Sequence, residues 1–428
     1  MARRWVLALI ILPTVLVSGS VLTLLYLGIF TPHLPFVQSE VGTHANATDN
    51  GAWWGANIPK IIHKGNYSFT YALEDGITPR KAFLYSRDSS GVWQEGFSNL
   101  LFSRPPSILI DSRGIVHLIG YVPFDSAENE GWIMHYNFTT PYDITTAPIG
   151  TNITANWKAT SNYAPESYSS YYVGAAIGAD DTILVAYTNS INNYGISCLG
   201  AKIFNTTTKS WEFSSISTTL PSRYCYPFAF VTEEYFYVLA IEDEEDHTIP
   251  GDHPYRFGAV KCFQRARTST SWQESTLIDL NPHYSSVEID ELNLENCDLY
   301  VDSSGIVHAI VRYGPFVRHY YKAEGALTWQ ENIATVKSFQ WVKLWERADG
   351  KLFLICANYR SQIILIPFGS NKEYIISNLP SEHRKSPVPF IASLRSGSPL
   401  SATLELVVFS DSLVTPTIAL SVDTSIIT

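Results

Sequence analysis

Two stretches of this 428-residue chain carry one chemistry-bearing pattern: Asp111-Ser-Arg-Gly-Ile-Val-His117-Leu-Ile-Gly-Tyr-Val-Pro-Phe124 and, with one residue inserted, Asp302-Ser-Ser-Gly-Ile-Val-His308-Ala-Ile-Val-Arg-Tyr-Gly-Pro-Phe316. An imidazole or phenol can take an acidic proton beside a carboxylate while a guanidinium steadies the charge that develops. His117, Tyr121, His135, His308, Arg312 and His319 are the candidates for such work. Their duplication argues the other way. A catalytic residue is needed once, whereas a residue that caps a neighbouring backbone group recurs wherever its strand does, and this is the favoured reading of His117 and His308.

Other residues suggest binding. Glu242-Asp243-Glu-Glu245-Asp246-His247 is the densest charged segment, and its carboxylates could hold calcium, although the spacing fits no EF-hand and a solvated loop is the simpler account. Trp53, Trp54, Tyr171 and Tyr172, with Tyr163 and Tyr168, could stack on sugars at loops, or pack between structural units. Sequons stand at Asn46, Asn66, Asn137, Asn152 and Asn205. Cys198, Cys225, Cys262, Cys297 and Cys356 lack metal-site spacing; Cys198 with Cys225 and Cys262 with Cys297 could form disulfides, or all could be small buried apolar groups. No G-x-S-x-G, phosphate-loop, G-x-G-x-x-G or H-E-x-x-H pattern is present, so no cofactor other than calcium is implied.

The elements that must position these residues are strands. Aromatics make up 13% of the chain and charged residues 16%, a strand-rich balance. Each Asp-containing turn precedes an apolar, β-branched run, weaker relatives being Ala179–Tyr187 and Ala348–Cys356. Out of phase with it, Trp93-Gln-Glu95, Trp272-Gln-Glu274 and Trp329-Gln-Glu331 start a further strand. Four strands per period make one propeller blade. Counting turns predicts an all-β propeller of seven blades, with six or eight as alternatives, near 51–105, 106–165, 166–221, 222–290, 291–336, 337–380 and 381–428. The last shows only three strands, so 31–50 is read as a linker whose residues 35–47 could close the ring.

This period resembles the sialidase-type, Asp-box or BNR-like propellers, and Ser86-Arg-Asp88-Ser-Ser-Gly91-Val-Trp93 looks like an Asp-box with Gly one place late. The resemblance implies the fold, since the box is a turn remote from chemistry. Where sialidases carry the Arg-Ile-Pro of a carboxylate-holding arginine trio, this chain reads Asn57-Ile58-Pro59. A nearer likeness is to BNR-repeat polysaccharide lyases with D-x-x-G-x-I-H turns, yet Ser103-Arg-Pro-Pro-Ser107 lacks the further His of that group.

Trp5 to Phe30 has no charged residue, and at ~1.5 Å per residue it makes a helix of roughly 39 Å, enough to span a bilayer. Arg3 and Arg4 precede it and no Lys or Arg follows until Lys60, which places residues 1–4 in the cytoplasm, 5–30 in the membrane and 51–428 outside the cell. A signal peptide cut near Ser18 to Ser20 is the alternative, giving a secreted protein. The net charge of −11 excludes nucleic acid as a main partner. The expectation is a membrane-anchored, non-catalytic surface protein binding glycan or protein, with a glycan-active lyase or hydrolase and a structural envelope glycoprotein as alternatives.

Overall fold

The computed structural model describes residues 33–42, 57–74, 79–124, 131–154, 173–190, 197–217, 223–245, 255–279, 297–313, 316–337, 339–358, 362–379, 388–409 and 417–427. Seven antiparallel sheets follow in chain order. The second blade is Ser107–Ile110, Val116–Pro123, Gly131–Asn137 and Ile149–Asn152; the third Val173–Ile177, Ile183–Ser190, Ser197–Asn205 and Ser210–Ser217. The fourth is Arg223–Val231, Tyr235–Glu245, Tyr255–Ala266 and Gln273–Asp279; the fifth Asp298–Val301, Ile306–Tyr313, Phe316–Ala323 and Gln330–Lys337. In the seventh, Phe36–Glu40 lies outside Ile418–Asp423, Thr403–Phe409 and Val388–Ile391, so the N-terminal strand closes the ring and covers a sheet edge. Buried Arg87 of the first blade meets Glu405 of the seventh at 2.6 Å.

First strands surround the hub and are apolar on both faces, as Ser107–Ile110 and Val173–Ile177 are, because inner strands pack on neighbouring blades as well as on the centre. The recurring tryptophans lock blades at the rim. Indole Nε1 of Trp93 donates to Ser39 Oγ (3.1 Å), of Trp272 to Ser214 Oγ (2.9 Å) and of Trp329 to Ser275 Oγ (3.0 Å), each Ser lying on the outer strand of the preceding blade.

The molecule has two distinct faces. Turns joining first to second and third to fourth strands form one, here called the turn face, and all are described. The internal segments outside the described residues all join second to third strands or one blade to the next, on the opposite, loop face. The hub is closed from both sides. From the loop face, Asn57 Nδ2 donates across it to Pro227 O (2.8 Å), and Ile108 N of the second blade donates to Pro59 O (3.0 Å). From the turn face, the 3-10 turn Leu394–Ser396 and Gly397 plug it. Gly397 has φ +83°, and a Cβ there would fall 2.0 Å from Ile110 O, so both conformation and contact require glycine.

Candidate functional site

The duplicated motif folds twice into nearly the same object. In the second blade Asp111 Oδ1 accepts the amides of Arg113 (3.0 Å) and Ile115 (2.8 Å); in the fifth, Asp302 Oδ1 accepts those of Ser304 (3.0 Å) and Ile306 (2.8 Å). Gly114 (φ +86°) and Gly305 (φ +78°) supply the left-handed position that ends each turn. The strand then carries His117 or His308, whose Nδ1 meets Nε2 of His135 (2.9 Å) or His319 (3.0 Å) on the third strand. All four imidazoles are buried. Burial first, and then the neighbouring imidazole, pushes His135 and His319 down to about 3, so both are neutral at ordinary pH. Each pair packs against the next blade: His135 against Phe204 and Trp211, His319 against Phe368.

The copies differ at one atom. In the fifth blade Asp302 Oδ2 bonds His308 Nε2 at 3.0 Å. In the second, Asp111 Oδ2 is taken by the guanidinium of Arg113, from Nε at 3.0 Å and Nη2 at 2.7 Å, and His117 Nε2 stands 3.9 Å away. That nitrogen is buried without a hydrogen-bond partner. Ser304 occupies the position of Arg113 and turns its hydroxyl to Asp302 Oδ1 (2.7 Å), leaving Oδ2 to the histidine. Desolvation opposes ionisation of Asp302, but the bonds from His308, Ile306 N and Ser304 outweigh it and bring the carboxyl down to about 2.

The six candidates for proton chemistry form two equivalent triples, His117–Tyr121–His135 and His308–Arg312–His319. Each histidine pair comes together near the turn face. Tyr121 and Arg312 lie four residues along the strand, roughly 13 Å toward the loop face. Tyr121 is buried and Arg312 half-buried. The two triples are three blades apart, so the fold joins each imidazole to its imidazole and not to the phenol or guanidinium.

The described residues also enclose a cavity of about 720 Å³ at the hub mouth on the turn face. Turns of successive blades bring Asp181, Glu233, Glu234, Asp302 and Glu324 to its rim. Ile110, Ile177, Phe230, Val301 and Leu394 form an apolar floor. The cation in its lining, Lys64, donates to Asp111 O at 2.7 Å. Beside it, a groove of about 180 Å³ runs between the second and third blades, lined by Arg113, His117, Asp181, Phe204 and Lys209 among others. Asp302 and Asp181 stand in the repeated turns of the sequence, where they read as turn residues, whereas Glu233, Glu234 and Glu324 belong to no local motif. Superposing the first turns of all blades, Asp111 on Asp180-Asp181, Glu233-Glu234 and Asp302, would have shown acids converging at one mouth.

The remaining candidates are dispersed. Glu242 is buried in a strand with Lys261 Nζ at 3.4 Å, Asp243 and Glu245 continue that strand, and Asp246 lies outside the described residues. Among the described residues no group of three metal-ligating side chains occurs. Trp53, Trp54, Tyr163, Tyr168, Tyr171, Tyr172, Asn46 and residues 1–32 also lie outside the described residues. Asn66 is exposed in a first-blade turn; Asn137, Asn152 and Asn205 are half-buried at strand ends. Of the two readings of the cysteines, the structure supports small buried apolar groups and not the pairings with Cys225 or between Cys262 and Cys297. Cys225, Cys262, Cys297 and Cys356 are buried and none is in a disulfide, because each faces apolar packing between strands. Asn57, which the sialidase resemblance sets against an arginine, has its amide committed to Pro227 O. Among the described residues no helix is long and apolar enough to cross a membrane.

No protein-family model and no curated protein matches the sequence. Among solved structures, an ulvan lyase of polysaccharide lyase family 25 superposes with TM-score 0.55 and 13% identity over 90% of this chain and 96% of its own. The polysaccharide lyase Uly1 superposes with TM-score 0.56 and 11% identity over 92% and 100%. A Hadza microbial sialidase gives TM-score 0.45 and 11% identity over 80% and 73%. The likeness to the two lyase structures is one of fold.

Proposed function

We propose that this seven-bladed propeller is a membrane-anchored extracellular protein that binds a glycan or protein ligand without catalysis. The observation that carries the reading is the disposition of the two triples: their imidazoles are buried in pairs within a blade and packed against the next one, while the cavity at the hub has ligand size and is rimmed by carboxylates. A proton-abstracting lyase site would need an imidazole or phenol facing a substrate and a cation facing its carboxylate.

The anchor gives the propeller a direction. Phe36 pairs with Val422 and Glu40 with Ile418, so the closing strand enters at the turn face. His33 and Leu34 are already paired with Ile375 of the sixth blade, so a span that ends at Phe30 holds that face near the bilayer and turns the loop face outward.

The test uses the full chain in detergent micelles. Incubation with uronate polymers should release no ultraviolet-absorbing unsaturated product, and a glycan array or a defined peptide panel should return a saturable ligand. Release of unsaturated uronate would replace this reading with that of a polysaccharide lyase. Sequencing the mature N-terminus should find Met1 or Ala2; a start near Gly19 would remove the anchor.

A further inference from the structure

Beneath the floor of the hub cavity lies a second polar cluster, enclosed in the hub itself. The plug residue Leu394 belongs to that floor, and its neighbour Arg395 is only 7% exposed. The Arg395 guanidinium reaches Asp298 and Phe228, which stand three and two residues before the floor residues Val301 and Phe230 on their first strands. At ~3.3 Å per residue these partners sit roughly 7–10 Å below the floor, at the level where Asn57 spans the hub to Pro227. Arg395 Nη1 is 3.5 Å from Asp298 Oδ1, beyond the ~2.9 Å of a charge-assisted hydrogen bond, and it has no hydrogen-bond partner. Asp298 Oδ2 accepts the amide of Leu344 at 2.7 Å. The same carboxylate faces buried Lys343, whose Nζ has Cys297 O at 3.4 Å and lies 5.3 Å from the Phe228 ring that Arg395 approaches at 5.8 Å. Lys60 enters from the first blade, its Nζ 4.2 Å from the Phe390 ring that Lys343 approaches at 5.9 Å. Burial, opposed by Asp298 and reinforced by Arg395, brings Lys343 down to about 8.

We propose that the hub interior holds a small monovalent anion, chloride, against the Arg395 guanidinium, as a structural ion that ties the plug to the first strands of the fourth, fifth and sixth blades. A buried guanidinium nitrogen without an acceptor is costly, so an acceptor that is not protein must face Nη1. Water would supply the acceptor but not the charge. Asp298 is shared by Arg395 and Lys343 and has one oxygen committed to a backbone amide, so an anion relieves a repulsion that water leaves in place. The occupant is small, because the cavity floor and the Asn57 bridge close the two ends and the rings of Phe228 and Phe390 wall the sides. It is singly charged, because Asp298 repels a dianion more strongly than it repels a monoanion. The ion lies below the floor of the hub-mouth cavity, so it is independent of any ligand bound there and of the anchor.

The test follows thermal unfolding of the full chain in micelles while sodium chloride replaces sodium gluconate at constant ionic strength, gluconate being too large for the hub. Raising chloride from about 1 mM to about 300 mM should raise Tm by about 2–4 °C. Arg395→Gln should abolish that rise. Arg267→Gln, which takes a cation from Asp180 on the turn face, should keep it. Equilibrium dialysis of radiolabelled chloride against the unaltered chain reads the site without any substitution: one ion per chain should be retained and should be displaced by bromide. A Tm indifferent to chloride, with no ion retained, would put water in the hub and overturn the proposal. A chloride response that survives Arg395→Gln unchanged would place the ion elsewhere and overturn it as well.

Discussion

The second and fifth blades carry the same acid, glycine and histidine pair, yet only in the fifth does the acid reach the histidine. Oδ1 does identical work in both, holding two turn amides within 3.0 Å. Oδ2 is free to vary: Arg113 claims it in one copy and His308 in the other. A repeat can therefore keep its fold-forming half while the other half is released for something else. In the second blade the released atom is His117 Nε2, which stays buried while its residue borders a groove.

The largest effect should come from deleting the acids. Asp111→Ala removes two turn bonds and a fork from an Arg113 side chain that is 69% exposed, and exposed forks contribute little. Asp302→Ala removes two equivalent turn bonds and also strands His308 Nε2 in a buried position. Urea denaturation should show a loss of about 2 kcal/mol for the first and about 3 kcal/mol for the second. A larger loss for Asp111→Ala would break the comparison.

That asymmetry marks the boundary of what the sequence discloses. The blade count was legible because a turn needs Asp and Gly at fixed spacing and the rim needs a Trp whose indole reaches back one blade; both demands recur in every copy that has them. The bland reading of His117 and His308 rested on the same repetition. What the two copies do with Oδ2 was not legible, since Arg113 and Ser304 both look like solvated turn residues until their reach to one oxygen is measured. The hub rim was hidden differently. Asp181, Glu233, Asp302 and Glu324 come from three blades, and only closure of the ring makes them neighbours. Asn57 reads as a lost arginine in sequence, whereas in the fold its amide bridges the hub.

Acid should dissolve both pairs, and here the copies should behave alike. His135 and His319 titrate near 3 in the folded chain against about 6.5 unfolded. A folded pKa below the unfolded one means that between pH 6.5 and 3 the unfolded chain binds more protons, so stability is complete above 6.5 and falls as pH drops toward 3. The slope is about 1.4 kcal/mol per pH unit for each imidazole. His319→Phe should cost about 1–2 kcal/mol at pH 7, because His308 Nδ1 loses its partner, and should remove one imidazole's share of the slope. His135→Phe should do the same. If neither flattens the urea midpoint against pH, the acid response belongs to other groups. Asp302, at about 2, adds loss only below pH 4, as its carboxylate protonates.

The smallest effects come from exchanging the residue that distinguishes the copies, and they are the most discriminating. Ser304→Arg places a guanidinium where it can take Asp302 Oδ2, and it should cost about 1 kcal/mol by releasing His308 Nε2 into a buried position. Arg113→Ser should change stability by a few tenths of a kcal/mol, since it gives up an exposed fork and lets Asp111 close the 3.9 Å gap to His117. The blades are far apart, so the two changes should add. Made together, they should also invert the acid deletions: Asp111→Ala should now cost more than Asp302→Ala. Failure of that inversion would mean that the Oδ2 partner is set by the surrounding blades, not by the side chain two residues after the acid.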